Sequence, residues 1–231
     1  MSTYFISDIH GEYDLFMRLL DKVHFDTTDL LYVGGDMVDK GEQSVAVVRF
    51  VRTTPNVQSI AGNHDFAFVR DYHNIMKTFA EGDDPDNVLS QLAEQFGDGA
   101  DLCWEDVDFL EGLPLWIQTP DFTLVHAGVK VDCNGHIGSL AEQHPYDLLG
   151  SRDFAKPSIV LAPDEPTVLF GHTPTCYFND TGDFIMTPRQ GIAHPSRLAD
   201  YAKICLDCGV WLNGKLGILC ADDMQQTYIT K

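Results

Sequence analysis

Asp8 and His10 stand two residues apart in the segment Asp8-Ile9-His10-Gly11, and both are metal ligands by type. Four more glycine-bearing segments carry similar donors: Gly35-Asp36-Met37-Val38-Asp39, Gly62-Asn63-His64-Asp65, His126-Ala127-Gly128 and Gly171-His172-Thr173-Pro174. Three His, two Asp and an Asn offer nitrogen and oxygen with no thiolate, which suits manganese, iron or zinc. A carboxylate can also bridge two ions. Two ions about 3.5 to 4 Å apart can clamp a phosphate, hold a hydroxide at neutral pH and offset charge during in-line displacement. That is hydrolysis without a protein nucleophile. Taken singly, a His-Gly or Asp-Gly pair reads equally well as a plain turn. Five such segments together read as one divided dinuclear metal site.

Each segment follows a short apolar run rich in β-formers: Tyr4-Phe5-Ile6, Leu31-Tyr32-Val33, Val57 to Ile60, Phe122 to Val125 and Val168 to Phe170. Each is therefore expected at the carboxyl end of a strand, where open α/β sheets place their ligands. The first seventy residues alternate: strand near 4 to 7, helix from Tyr13 to Val23, strand near 30 to 34, helix from Glu42 to Arg52, strand near 57 to 60. Leu15, Leu19, Leu20 and Val23 recur at helical spacing and form an expected buried face. Residues 66 to 112 read as mainly helical, broken at Gly82-Asp83-Asp84-Pro85 and Gly97-Asp98-Gly99, with Trp104, Phe109 and Leu110 expected to pack. From Leu113 onward short strands alternate with turns, predicting a second, mixed sheet laid on the first. The polar stretch Asp132 to Ser151 is a candidate loop over the metals, and Thr187 to Asp200 a second rim loop.

A chain of 231 residues fits a single domain spanning 1–231. No apolar stretch approaches the ~18 residues of a membrane span. The start, Met1-Ser2-Thr3 and then a strand, carries no apolar signal segment, so cytoplasmic residence is expected. The net charge of -20 argues against nucleic acid as a partner and should disfavour highly anionic substrates away from the metals. Acidic residues such as Asp83, Asp84 and Asp86 read as solvated. Six scattered cysteines predict reduced thiols, and the Cys205-Cys208 pair reads as part of a buried strand rather than a metal site.

The five segments resemble the signature of the PPP family of metallophosphatases, which includes bacterial Ser/Thr protein phosphatases and symmetrical diadenosine tetraphosphate hydrolases. The resemblance runs from Ser7 through Thr173 and continues more weakly through Leu206-Asp207-Cys208-Gly209 and Gly214-Lys215-Leu216. It implies a calcineurin-like fold, an α/β/β/α sandwich of two mixed sheets flanked by helices. It also implies two divalent ions, manganese foremost with iron or zinc as alternatives. Asp8 and His10 would bind one ion, Asp36 would bridge, and Asn63, His126 and His172 would bind the other. His64 resembles the general acid and Asp39 the carboxylate that orients it. Lys40, Arg152 and Asn63 would bind the substrate phosphate. His24, His73, His136, His144 and His194 fall outside these motifs and are not expected to be ligands.

Two positions depart from the family pattern. Lys40 stands where Arg is usual, and a lysine is a point charge that cannot hold a phosphate bidentately. Asp65 stands where the phosphatases show Glu and the hydrolases often show Asp. Asp39 weighs the other way, because the phosphatases carry Asp there. The resulting expectation is a phosphomonoesterase in which a metal-activated hydroxide attacks phosphoserine or phosphothreonine in a protein, with phosphotyrosine as an extension and phosphorylated small molecules as other substrates. The alternatives are a symmetrical bis(5′-nucleosyl)-tetraphosphate hydrolase and a catalytically silent metal-binding scaffold supported only by Lys40.

Overall fold

The structure, a computed structural model, describes residues 1–82 and 84–231; Asp83, part of the expected break and solvated acidic run, lies outside the described residues. Strands β1 (Thr3–Ile6), β2 (Leu30–Val33) and β3 (Val57–Ser59) alternate with helices α1 (Tyr13–Lys22) and α2 (Ser44–Thr53). A helical block follows: α3 (Asn63–Ala80), α4 (Pro85–Phe96), a 3-10 turn (Gly97–Asp101) and α5 (Trp104–Glu111). The remainder holds β4 (Trp116–Gln118), β5 (Phe122–Val125), α6 (Pro145–Leu149), β6 (Thr167–Phe170), β7 (Ile185–Pro188), β8 (Tyr201–Cys205), α7 (Val210–Asn213), β9 (Lys215–Cys220) and β10 (Gln226–Thr230).

The strands form two five-stranded mixed sheets, ordered β10-β9-β1-β2-β3 and β4-β5-β6-β8-β7. Alternation along β1 sends Phe5 between the sheets and Tyr4 and Ile6 toward the helices. Phe5 stacks on Tyr32 at 5.2 Å, and Phe122 of the other sheet meets both rings edge-on at 4.9 and 5.1 Å. Leu124, Leu169 and Ile204 complete this inter-sheet layer. Val125, Val168 and Phe170 face the opposite way, onto Leu148 and Phe154. The expected α/β/β/α layering is thus present.

Register decides where the loops emerge. Ile6 pairs with Val33 and Val33 with Ser59 in parallel ladders, so the chain leaves β1, β2 and β3 along one edge. In the second sheet Leu124 pairs with Leu169 and Phe170 with Cys205, so β5, β6 and β8 likewise end together.

Some boundaries differ from the expectation. Helix α2 begins at Ser44 rather than Glu42 because Gln43 is pinned to the first loop: its N–H donates to Gly11 O at 2.9 Å and its side-chain oxygen accepts from Asp14 N at 3.1 Å. Trp104 is 60% exposed rather than packed, lying off the α5 face that buries Asp106, Val107 and Leu110. The polar stretch from Asp132 is partly ordered by a Val131–Ile137 bridge, a 3-10 turn (Leu140–Glu142) and α6. Arg189 of the second rim segment holds the carbonyls of Glu165 (2.6 Å) and Ala199 (2.9 Å). Among the described residues, no helix is long and apolar enough to cross a membrane.

Candidate metal centre

Six of the eight non-glycine residues with positive φ among the described residues lie in the strand-end loops: Asp8, His10, Asp36, Asp39, Lys40 and His172, with φ between 49° and 73°. Such backbone costs of order 1–3 kcal/mol per residue and persists where its surroundings over-determine it. Here the first two loops brace each other. Asp8 N donates to Gly35 O (3.1 Å), His10 N to Asp36 O (2.9 Å), Gly11 N to Met37 O (2.9 Å) and Gly41 N to His10 O (2.9 Å). Close approach also requires glycine. A Cβ on Gly62 would overlap Asp36 Oδ1, and one on Gly171 would overlap Asp8 Oδ2 and Ser7 Oγ.

Three histidines each spend one ring nitrogen on a backbone carbonyl. His10 Nδ1 donates to Val38 O (3.1 Å), His126 Nδ1 to Gly34 O (2.8 Å) and His172 Nε2 to Gly150 O (3.1 Å). Those bonds fix the tautomer and turn the opposite nitrogen inward, as outer-shell carbonyls do for metal-bound imidazoles. His10 Nε2 lies 3.6 Å and His126 Nε2 3.4 Å from the same oxygen, Asp36 Oδ2. Asn63 Oδ1 lies 2.9 Å from His126 Nε2 and 2.7 Å from His172 Nδ1. With the amide assigned in this sense, an acceptor oxygen faces two inward nitrogens that have already used their partner N–H, an arrangement that calls for positive charge between them.

The donors sort into two groups, His10–Asp36–His64 and Asp36–His126–His172, each with ligand atoms within 4.8 Å of one another. Asp36 belongs to both, so its carboxylate stands where a bridge between two ions would stand. The all-nitrogen-and-oxygen set and the fixed tautomers fit a divalent pair. Of the expected ligands, His10, Asp36, His126 and His172 fall in these groups, and Asn63 lies against the second. Asp8 stands at the edge. Its carboxylate accepts the Ser7 hydroxyl (2.5 Å) and the His172 backbone N–H (3.1 Å to each oxygen). His64, expected as an acid rather than a ligand, joins the first group, its ring at 87° to that of His10 with centroids 5.0 Å apart.

The electrostatics show the same demand for cations. Burial disfavours charge on His126, yet the Asp36 and Asp8 carboxylates overcome it and push its pKa up to about 10. Burial and the charge on His126 then push His172 down to about 4. Burial lifts Asp8 to about 7, against the pull of His126. Burial opposes ionisation of Asp36 as well, but His126, His10 and His64 together hold it below the usual carboxylate range.

His64 Nδ1 and Asp39 Oδ2 are 2.7 Å apart, and the His64 backbone N–H donates to Asp36 Oδ1 at 2.9 Å. Burial lowers the His64 pKa, but the bond to Asp39 and the nearby Asp36 charge raise it overall, with Lys40 opposing. Lys40 is exposed with Nζ over the Trp211 ring, and Arg152 is exposed over the Tyr177 ring. The neighbouring Asp153 pairs with Lys156 at 2.5 Å.

Two buried carboxylates were not singled out as site residues from sequence. Asp65, completely buried, accepts N–H bonds from Asp36 (2.8 Å), Met37 (2.9 Å), Val38 (3.3 Å) and Gly62 (2.9 Å), clamping the β2 loop to the start of α3. Its signal is an Asp at the third position of a helix, where a side chain can turn back onto N–H groups. Asp207 accepts from Gly209 N at 2.7 Å, and burial first, with the Asp8 charge second, pushes its pKa well up. It follows an apolar strand just as the recognised ligands do. Elsewhere, His73 pairs with Glu111 (3.0 Å), His136 with Glu165 (3.3 Å), and His144 accepts Tyr146 N–H (3.1 Å). Neither His24 nor His194 joins a metal group among the described residues. All six cysteines are free, and Cys205 and Cys208 are buried.

Comparison with known proteins corrects the substrate. Proteins named symmetrical bis(5′-nucleosyl)-tetraphosphatase from Actinobacillus succinogenes and Aggregatibacter actinomycetemcomitans are 35% and 37% identical over 136 residues, covering 57% of this chain and 46% of each relative. The chain thus spans about half the length of the curated relatives it matches. A crystal structure of a proposed diadenosine tetraphosphatase superposes with a TM-score of 0.68 at 20% identity, covering 99% of this chain and 92% of that one, which shows a shared fold. These names overturn the expectation of phosphoserine or phosphothreonine in a partner protein. Asp39 weighs toward the phosphatases, but what it makes is a 2.7 Å contact with His64 Nδ1, while Asp65 weighs toward the hydrolases. The Calcineurin-like phosphoesterase family matches residues 1–186, and the chain belongs to that family.

Proposed function

We propose that this chain hydrolyses bis(5′-nucleosyl) tetraphosphates at the central anhydride, releasing two nucleoside diphosphates, with residues 1–231 acting as one catalytic unit. The relatives' names support the substrate class. The observation that carries the chemistry is the Asp36 carboxylate shared by both ligand groups. Strands β8 and β9 are interior strands of the two sheets and β10 is an edge strand, so the C-terminal segment is part of the framework that holds the site.

Asp8, His10 and Asp36 would hold one ion, and Asp36, Asn63, His126 and His172 the other; manganese is our first choice, with iron or zinc as alternatives. When bound, such ions supply charge against the phosphate oxygens and make a water acidic enough to attack at neutral pH. His64 keeps its proton because Asp39 binds Nδ1, leaving Nε2 to protonate the departing phosphate oxygen. Lys40 lowers the proton affinity of that ring, which makes it a better donor. Lys40, Arg152 and Asn63 engage the phosphate oxygens, Arg152 through a planar fork and Lys40 as a point charge.

The test is incubation of manganese-loaded protein with diadenosine tetraphosphate and separation of the products by anion exchange. ADP as the sole nucleotide product is expected. Release of AMP with ATP would overturn symmetrical cleavage, and no turnover with manganese, iron or zinc would overturn the whole reading.

A further inference from the structure

Two cations beside the centre each rest on an exposed aromatic ring. Lys40 Nζ lies 5.3 Å from the Trp211 ring centroid and Arg152 Cζ 5.8 Å from that of Tyr177, both inside the ~6 Å reach of a cation–π contact. Trp211 is 45% and Tyr177 53% exposed, so each ring keeps open surface besides the part its cation covers. The neighbouring Phe178 and Leu212 are exposed too. The two ring-bearing segments touch: Thr175 N donates to Asp207 O at 2.8 Å, and Gly209 packs on Cys176.

The pairs flank different halves of the centre. Lys40 follows Asp39, whose carboxylate lies 2.7 Å from Nδ1 of His64, a member of the first ligand group. Arg152 lies two residues past Gly150, whose carbonyl accepts the ring N–H of His172, a member of the second, at 3.1 Å. One cation–aromatic pair therefore accompanies each group, with Asp36 between them. The chain has 15 Lys and Arg against 35 Asp and Glu, so positive charge here is scarce, and both of these cations sit on rings.

A cation next to an open ring presents what a nucleotide has to satisfy: counter-charge for phosphate and a π face for the base. We propose that Trp211 and Tyr177 are stacking platforms for the two nucleobases of the substrate, the residues that distinguish a nucleoside-capped polyphosphate from a simple phosphate ester. The proposal rests on the hydrolase reading above. Both rings are half in solvent, so they contribute little to the core that holds the ligands. Every base offers a π face, so the platforms tolerate guanine as well as adenine.

The experiment compares Trp211→Ala, Tyr177→Ala, their Phe counterparts and the parent protein, all manganese-loaded, on diadenosine tetraphosphate and on p-nitrophenyl phosphate, which has no base. The readout is the ratio of kcat/KM for the two substrates. Each Ala variant should lower that ratio about tenfold, through KM rather than kcat, and the double variant about a hundredfold; Phe should restore most of it. Equal losses on both substrates, or Phe variants as poor as Ala, would overturn the stacking role and leave the hydrolase reading standing. A parent protein that turns over p-nitrophenyl phosphate but not the dinucleotide would overturn the hydrolase reading and the platforms together.

Discussion

Replacing Asp65 with Ala tests whether the bridge between the ligand groups depends on a residue that touches no substrate. Asp65 accepts three N–H bonds of 2.8 to 2.9 Å, from Asp36, Met37 and Gly62, and a longer one of 3.3 Å from Val38. A buried N–H left without a partner costs about 1–3 kcal/mol, so three orphans cost about 3–9 kcal/mol. Removing a carboxylate buried without a cationic partner returns part of that, because its desolvation cost disappears as well. A net loss of about 3–5 kcal/mol is expected, which for a chain of this size is a fall in Tm of roughly 6–20 °C. Calorimetry on metal-free protein measures it. Elemental analysis of reloaded protein should also show weaker retention, since loss of an outer-shell partner typically costs about 10–100-fold in metal affinity. Asp65→Asn keeps the volume but turns an amide N–H toward backbone N–H groups, so it should lose nearly as much. A change in Tm below about 2 °C, a stability change of under ~1 kcal/mol, together with full metal retention would refute the clamp.

Three further outcomes are expected. His64→Asn should lower kcat by about 10²–10⁴ while metal content stays at parent level, and the deficit should be larger for phenyl phosphate than for p-nitrophenyl phosphate, whose leaving group needs less protonation; loss of metal instead would make His64 a ligand. His126→Ala should reduce the bound metal from two ions toward one, read by elemental analysis, because it removes a nitrogen from the Asp36–His126–His172 group, against which Asn63 lies, and spares every member of His10–Asp36–His64. Away from the centre, burial would raise Asp106, but the Cys103 thiol and Arg49 guanidinium hold it below its ordinary 3.8. A lowered carboxylate contributes stability above its unfolded pKa and loses it as pH falls through the folded value, so Asp106→Asn should flatten the decline in Tm below about pH 4. An unaltered acid limb would exclude that role.

The strand-end pattern was legible because it is local. A short β-forming run followed within a few residues by a donor, with a glycine just before Asp36, Asn63 and His172 and shortly after His10 and His126, places Asp8, Asp36, Asn63, His126 and His172 without knowledge of any long-range contact, and the observed registers merely align those ends. Tertiary partners decided what local patterns missed. Helix α2 starts late because Gln43 is held by Gly11 and Asp14, and Asp65 becomes a clamp only once the β2 loop lies against it. Trp104 looked like core by composition, yet α5 turns it outward. The substrate was illegible at Asp39 for a chemical reason: a carboxylate 2.7 Å from an imidazole nitrogen can bear on proton transfer, and says nothing of what the phosphate is attached to. The net charge of -20 counts residues without locating them, and Lys40, next to Asp39, and Arg152, two residues past Gly150, put positive charge near the ligand groups.

The centre gathers its instability in one place. Asp8, Asp36, Asp65 and Asp207 are buried carboxylates whose charges act on one another, and the same loops hold the positive-φ residues. Backbone N–H groups and three histidines offset part of that repulsion, but His126 and His172 compete for positive charge, one driven up and the other down. Divalent cations in the two groups would neutralise the carboxylates without that competition. Metal binding is then linked to folding: ligands organised only in the native state convert binding free energy into stability. Strain that disfavours the apo loops is the same geometry that aims the donors inward, so substitutions relaxing it, such as glycine at Asp36 or His172, would remove ligand and preorganisation together.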